Sequence, residues 1–79
     1  MSNFEFIGCI IRFHRRKARL TQKQLATLAG VGKTAVFDVE KGKNTVRLNT
    51  LTAILSVLNI QLIPQSPLMD QYNCGEGHE

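Results

Sequence analysis

The stretch Leu20–Gly42, LTQKQLATLAGVGKTAVFDVEKG, decides the fold. It reads as two short helices joined by a tight glycine turn. Thr21 opens the first, since its hydroxyl can accept an orphan backbone N–H at a helix start. Leu25, Ala26, Leu28 and Ala29 are its inward residues. Gly30 follows at once, and glycine ends a helix in the left-handed conformation without a side-chain clash. Val31 plugs the turn. Gly32 is a permissible N-cap for the second helix, weaker than Ser or Thr.

The second helix, Lys33 to Lys41, has two faces at helical spacing. Val36 and Val39 point to a core, whereas Lys33, Thr34, Phe37, Asp38 and Lys41 point away. The outer face carries donors, an acceptor, a hydroxyl and one large ring. Base edges in a DNA major groove present complementary groups. An amphipathic helix facing plain solvent has the same pattern. The small–Gly–apolar spacing before the helix favours DNA. Ala26, four residues after Gln22, lets the two helices approach, and Gly30 makes the turn.

These positions resemble the Xre/Cro-type helix-turn-helix repressors. Leu20-Thr21-Gln22, Leu25-Ala26, Ala29-Gly30-Val31, Val36, Val39, Glu40 and Gly42 carry the resemblance, which extends over residues 7–63. Many fixed-spacing positions agree at once, unlike a lone short motif. The resemblance implies an all-α, lambda-repressor-like bundle of four helices. It also implies an ion pair between Arg15 and Glu40, and a Gln22 that binds phosphate and buttresses the second helix of the motif.

Seventy-nine residues make one domain at most. So small a core leads us to expect oligomerisation or a staple. The formal net charge is +4, but the cations are concentrated: all ten Lys and Arg lie between Arg12 and Arg47, a span with only two acids. A basic segment that coincides with the motif is the footprint of a polyanion partner. Cys9 falls in a helical pattern and Cys74 in a polar tail, so no disulfide framework is implied. No leader-like or bilayer-length apolar run is visible, and a cytoplasmic location is expected.

Taken in order, Ser2 and Glu5 have capping-box spacing, which starts a first helix near Asn3 and runs it to about Arg19. Ile7, Ile10, Ile11, His14 and Ala18 share a face with Phe4 at its edge, and His14 is expected to be partly buried. Phe6, Cys9 and Phe13 form an adjoining stripe, wider than one small core needs. Either a C-terminal segment covers it, or a dimer or partner contact does. Gly8 within this helix costs on the order of 1 kcal/mol against Ala, so a close helix contact is expected there. Arg19 stands where the family usually has Gly, and a left-handed backbone would strain it.

The candidate base readers are Lys33, Thr34, Phe37 and Asp38. Lys33 can donate to guanine and Asp38 can accept from cytosine N4. Phe37 can touch a thymine methyl or wedge at a base step; partner contact or plain exposure are the alternatives. Candidate phosphate contacts are Arg19, Gln22, Lys23, Lys41, Lys43, Asn44, Thr45 and Arg47. After the 43–49 loop, Val46 and Leu48 are expected to return to the core. Asn49 is expected to cap a fourth helix over residues 50–58, with Asn59 ending it in a left-handed conformation.

That fourth helix is apolar nearly all round, so it must be covered on more than one side, and a second copy is the obvious cover. Ile60-Gln61-Leu62-Ile63 reads as a short strand stopped by Pro64, with the same strand of a second copy as its mate. The pattern GKNTVRLNTLTAILSVLNIQL, residues 42–62, is similar to the HipB-type antitoxins. That resemblance implies a two-fold homodimer that pairs such strands, binds a HipA-type serine/threonine kinase toxin and represses its own operon. Residues 1–64 form the expected domain and 65–79 a flexible tail, in which Leu68, Met69 and Tyr72 can anchor a partner.

Cys74 and His78 supply half a zinc spacing, too little for a metal site. No nucleophile–base pair, metal cluster or phosphate loop stands out, so neither an enzyme nor a cofactor is expected. The expected activity is sequence-specific repression at a palindromic operator, with half-sites about one DNA turn, ~34 Å, apart. A stand-alone or phage-type regulator, and an interaction module that reads no DNA, are the competing readings.

Overall fold

A computed structural model describes residues 3–72 of the chain. Four α-helices follow one another: α1 Asn3–Lys17, α2 Gln22–Ala29, α3 Lys33–Glu40 and α4 Leu48–Val57. A single 3-10 turn, Met69–Gln71, comes after them. Ser2, Cys74 and His78 lie outside the described residues.

The core is small and wholly apolar. Ile11 of α1, Leu25 and Ala26 of α2, Val36 and Val39 of α3, and Ile54 and Leu55 of α4 are buried together. Ile7, Leu20, Val31, Val46, Leu51 and Ile60 pack round them, half-buried. Where α1 crosses α3 the backbones themselves meet. A Cβ on Gly8 would lie 2.5 Å from the Val39 carbonyl oxygen and 2.9 Å from that of Glu40. The glycine that helix propensity disfavours is the one that lets α1 seat.

Each α-helix ends by the same device. Arg19, Gly30, Gly42 and Asn59 take φ of 59°, 72°, 80° and 57°. Each donates its N–H to the carbonyl three residues back, and the next residue donates to the carbonyl five back. This is the Schellman closure, which satisfies carbonyls that a helix end otherwise orphans. Glycine takes positive φ freely; Asn tolerates it and Arg does so under strain.

Several expectations fail here for identifiable reasons. Helix α1 stops at Lys17 rather than Arg19, because the closure at Arg19 turns the chain left-handed. Helix α4 starts at Leu48, because its first intrahelical bond runs from the Leu51 N–H to the Arg47 carbonyl; Arg47, not Asn49, is the N-cap residue. Leu48 is consequently 69% exposed instead of returning to the core. Leu28 is 62% exposed. Three residues beyond Leu25, it lies past the edge of the stripe that Leu25, Ala26 and Ala29 define. His14 is exposed, and its Nδ1–H donates to the Ile10 carbonyl one turn back at 2.7 Å.

No strand occurs among the described residues, so the expected strand at Ile60, Gln61, Leu62 and Ile63 is not formed. A strand exists through ladder bonds to a neighbour. Ile60 gives its N–H to the Leu55 carbonyl instead, at 2.9 Å. The outer stripe of α1 also stays uncovered among the described residues, with Phe6 and Phe13 exposed.

Candidate nucleic-acid interface

The surface with most to offer a ligand is built on α3. Val36 and Val39 anchor the helix from below, which leaves Lys33, Thr34 and Phe37 exposed on the opposite side. Its N-cap is Gly32, which supplies no side-chain bond. Backbone N–H groups at the start of α3 are therefore not capped by that residue, and such groups suit an anion.

Helix α2 is fixed more firmly. The Thr21 hydroxyl accepts from the Gln24 N–H at 3.0 Å, and the Gln24 side-chain oxygen accepts from the Thr21 N–H at 2.8 Å. This reciprocal capping box positions the helix start that carries Gln22 and Lys23. The Thr-x-x-Gln spacing was a readable signal for Gln24, beyond the role seen for Thr21 alone.

A polar network ties three helices or their ends together. Arg15 of α1 donates from Nε to Glu40 Oε2 at 2.6 Å and from Nη2 to Oε1 at 3.1 Å. Its Nη1 donates to the Leu20 carbonyl at 2.9 Å. The Gln22 amide of α2 donates to Glu40 Oε1 at 3.2 Å. The side chains of Arg15 and Glu40 are only 11% and 5% exposed. A charge-assisted fork of this geometry fixes direction as well as distance. It sets the end of α3 against α1, and through Gln22 against the start of α2.

Two further pairs arise on the outer face of α3, and neither was expected. Lys41 Nζ stands 5.2 Å from the Phe37 ring centroid, a cation–π contact. Lys43 Nζ stands 3.3 Å from Asp38 Oδ1. The first has ordinary i,i+4 helical spacing, whereas the second, five residues apart, does not. The first continues the helix, since the Lys41 N–H donates to the Phe37 carbonyl at 3.0 Å, and the second depends on the Gly42 closure.

The remaining sequence-predicted residues are exposed on other elements and loops. Arg19 is exposed at the end of α1, and Lys23 is exposed in the first turn of α2. Lys43, Asn44 and Thr45 are exposed in the loop between α3 and α4, and Arg47 is exposed at the start of α4. No group of three or more potential metal ligands occurs among the described residues. Nor is any described helix long and apolar enough to cross a membrane.

A family model described as helix-turn-helix matches residues 11–63. An uncharacterized HTH-type transcriptional regulator of Sinorhizobium fredii, y4mF, is 34% identical over 56 residues, which are 71% of this chain and 74% of the relative.

Proposed function

The chain belongs to the helix-turn-helix family, and from that premise we propose that it is a sequence-specific DNA-binding repressor that acts as a homodimer. The observation that carries the reading is the outer face of α3. Lys33, Thr34 and Phe37 are exposed there, with Asp38 beside them, on a helix whose other face is buried. These side chains match the chemistry of major-groove base edges. Gln22, Lys23, Arg19, Lys41, Asn44, Thr45 and Arg47 flank them as phosphate contacts. Ten cations against two acids over residues 12–47 supply the attraction.

The dimer reading draws on the apolar surface after α4. Leu62 and Ile63 are 48% and 70% exposed, and a groove beside them is lined by Thr52, Leu55, Ser56, Asn59 and Ile60. In a pair of subunits residues 60–63 gain the ladder partner that one chain does not supply. Two α3 helices about 34 Å apart then meet successive major grooves of a palindrome. Bound across a promoter, the dimer occludes transcription. An antitoxin role toward a HipA-type serine/threonine kinase rests on the resemblance of residues 42–62, and a kinase gene adjacent to this one supports it.

Fluorescence anisotropy tests the DNA reading, with a duplex from upstream of the reading frame and a scrambled duplex of equal length, across a salt series. The native duplex is expected to bind roughly a thousandfold tighter, and Lys33→Ala or Thr34→Ala each to narrow the gap by about tenfold or more. Equal binding that fades together with salt defeats the reading and leaves only a basic surface. Sedimentation of Ile63→Lys beside the wild type tests the dimer: the variant is expected to be monomeric.

A further inference from the structure

The four helix closures differ in one respect. After the positive-φ residue, the next side chain is brought back over the residue five positions earlier. At α1, α2 and α4 that side chain is Leu20, Val31 or Ile60, half-buried against the core. An apolar contact at this point commonly accompanies the closure. At α3 the residue is Lys43, whose side chain is 57% exposed. The Lys43 N–H donates to the Asp38 carbonyl at 3.1 Å, and the same turn sets Nζ 3.3 Å from Asp38 Oδ1. An ion pair stands where the other three helices have a hydrophobic plug.

Asp38 and Glu40 are the two acids of α3, and Glu40 is turned inward to Arg15 and Gln22. Asp38 is thus the acid that the outer face presents. We propose that Lys43 is a positioning residue for base specificity: it holds Asp38 toward a base edge, rather than serving as one more phosphate contact. This rests on the reading of α3 as the helix that enters the groove. A bare carboxylate between two phosphate backbones is repelled by both and swings toward solvent. Lys43 neutralises it and restricts its rotamers. The lysine engages Oδ1, so Oδ2 is the oxygen left to accept a hydrogen bond, and among base edges in the major groove the cytosine N4 and adenine N6 amines donate one. Gly42 is needed for the arrangement. Its φ of 80° carries the chain round to Lys43, and a Cβ there would also meet Glu5 at 2.8–2.9 Å.

Selection from a random-sequence duplex pool with the full chain tests the proposal, comparing wild type, Asp38→Asn, Lys43→Ala, Lys43→Arg and Lys41→Ala. Thermal unfolding of each variant confirms folding. The wild type is expected to select a motif. Asp38→Asn and Lys43→Ala are expected to lose discrimination at the same base position, by about tenfold or more, and to keep the rest. Lys43→Arg retains the preference, and Lys41→Ala weakens all duplexes alike. A Lys43→Ala motif identical to the wild type, with uniformly weaker binding, makes Lys43 a phosphate contact and overturns the proposal. A wild type that selects nothing overturns the DNA-reading function itself, and this inference with it.

Discussion

Arg15 and Glu40 lie 25 residues apart in sequence, yet the guanidinium holds both carboxylate oxygens, at 2.6 and 3.1 Å. Removing one partner strands the other in a nearly closed site. Arg15→Ala is therefore expected to lose about 3–5 kcal/mol of stability, because the Glu40 charge keeps only the Gln22 amide and the Leu20 carbonyl loses its side-chain donor. The paired replacement Arg15→Met with Glu40→Leu is expected to recover most of it. Urea unfolding of the three proteins measures both effects. An Arg15→Ala protein as stable as the wild type removes the pair from the account of the fold.

Gly8→Ala sets two effects against each other. Helix propensity favours alanine by ~1 kcal/mol. The new methyl would lie 2.5 Å from the Val39 carbonyl oxygen, so α1 must lift off α3. Overpacking of this kind typically costs about 1–3 kcal/mol and wins here, because the obstacle is backbone. The net loss is up to about 2 kcal/mol, so the melting temperature is expected to fall, by up to roughly 16 °C. A rise would mean that α1 and α3 are not in backbone contact.

Arg19→Gly is expected to raise stability and weaken DNA binding together. Left-handed backbone costs a side-chain-bearing residue about 1–2 kcal/mol, partly offset by the roughly 0.5–1 kcal/mol entropic disadvantage of glycine. A net gain of about 0.5–1 kcal/mol follows. With one phosphate contact gone, the slope of log K against log salt is expected to flatten by about 0.9. Calorimetry and a salt titration read the two halves separately. A lower melting temperature counts against strain at Arg19.

Phe6→Ser and Phe13→Ser test whether the outer stripe of α1 belongs to this domain. Both rings are more than half exposed, and Phe13 touches only the edge of His14 and the Lys17 ammonium among its ring contacts. Surface substitutions of this kind stay within about 0.5 kcal/mol, with up to ~1 kcal/mol more for the cation–π contact. Chemical denaturation checks this. A loss of about 3 kcal/mol or more, the scale of a core phenylalanine, would place the stripe in a buried interface.

Most of the helical framework was legible because its signals are local. Thr21 and Gly30 announce the ends of α2, Asn59 the end of α4, and the 3.6-residue spacing identifies Leu25, Val36 and Val39 as core. Gly8 was readable as an anomaly in need of a close contact. The misreadings fall where the deciding geometry lies outside the local pattern. Leu28 and Leu48 are apolar, and composition cannot tell an apolar residue at the margin of a buried stripe from one within it. Asn49 is the better capping residue by type, yet the chain direction out of the 43–47 loop gives that place to Arg47. The segment 60–63 has strand composition, but composition supplies no partner. The Lys43–Asp38 pair was hidden for a further reason: it needs the left-handed turn at Gly42 to bring residues five apart together, a spacing no continuous helix would pair.

The contact at Gly8 has a consequence for how such a protein diversifies. Helix α1 rests on backbone atoms of Val39 and Glu40, and α3 is held from below by Val36 and Val39. Lys33, Thr34 and Phe37 are exposed on the other side and are not among the buried residues of that seat. The part of the helix that fixes the frame and the part that faces outward thus share a segment of chain but not a set of atoms. Mutation can exchange the outward residues with little effect on folding, whereas the frame tolerates little change. A lineage built on this plan can change its binding target in single steps, each intermediate remaining a folded protein.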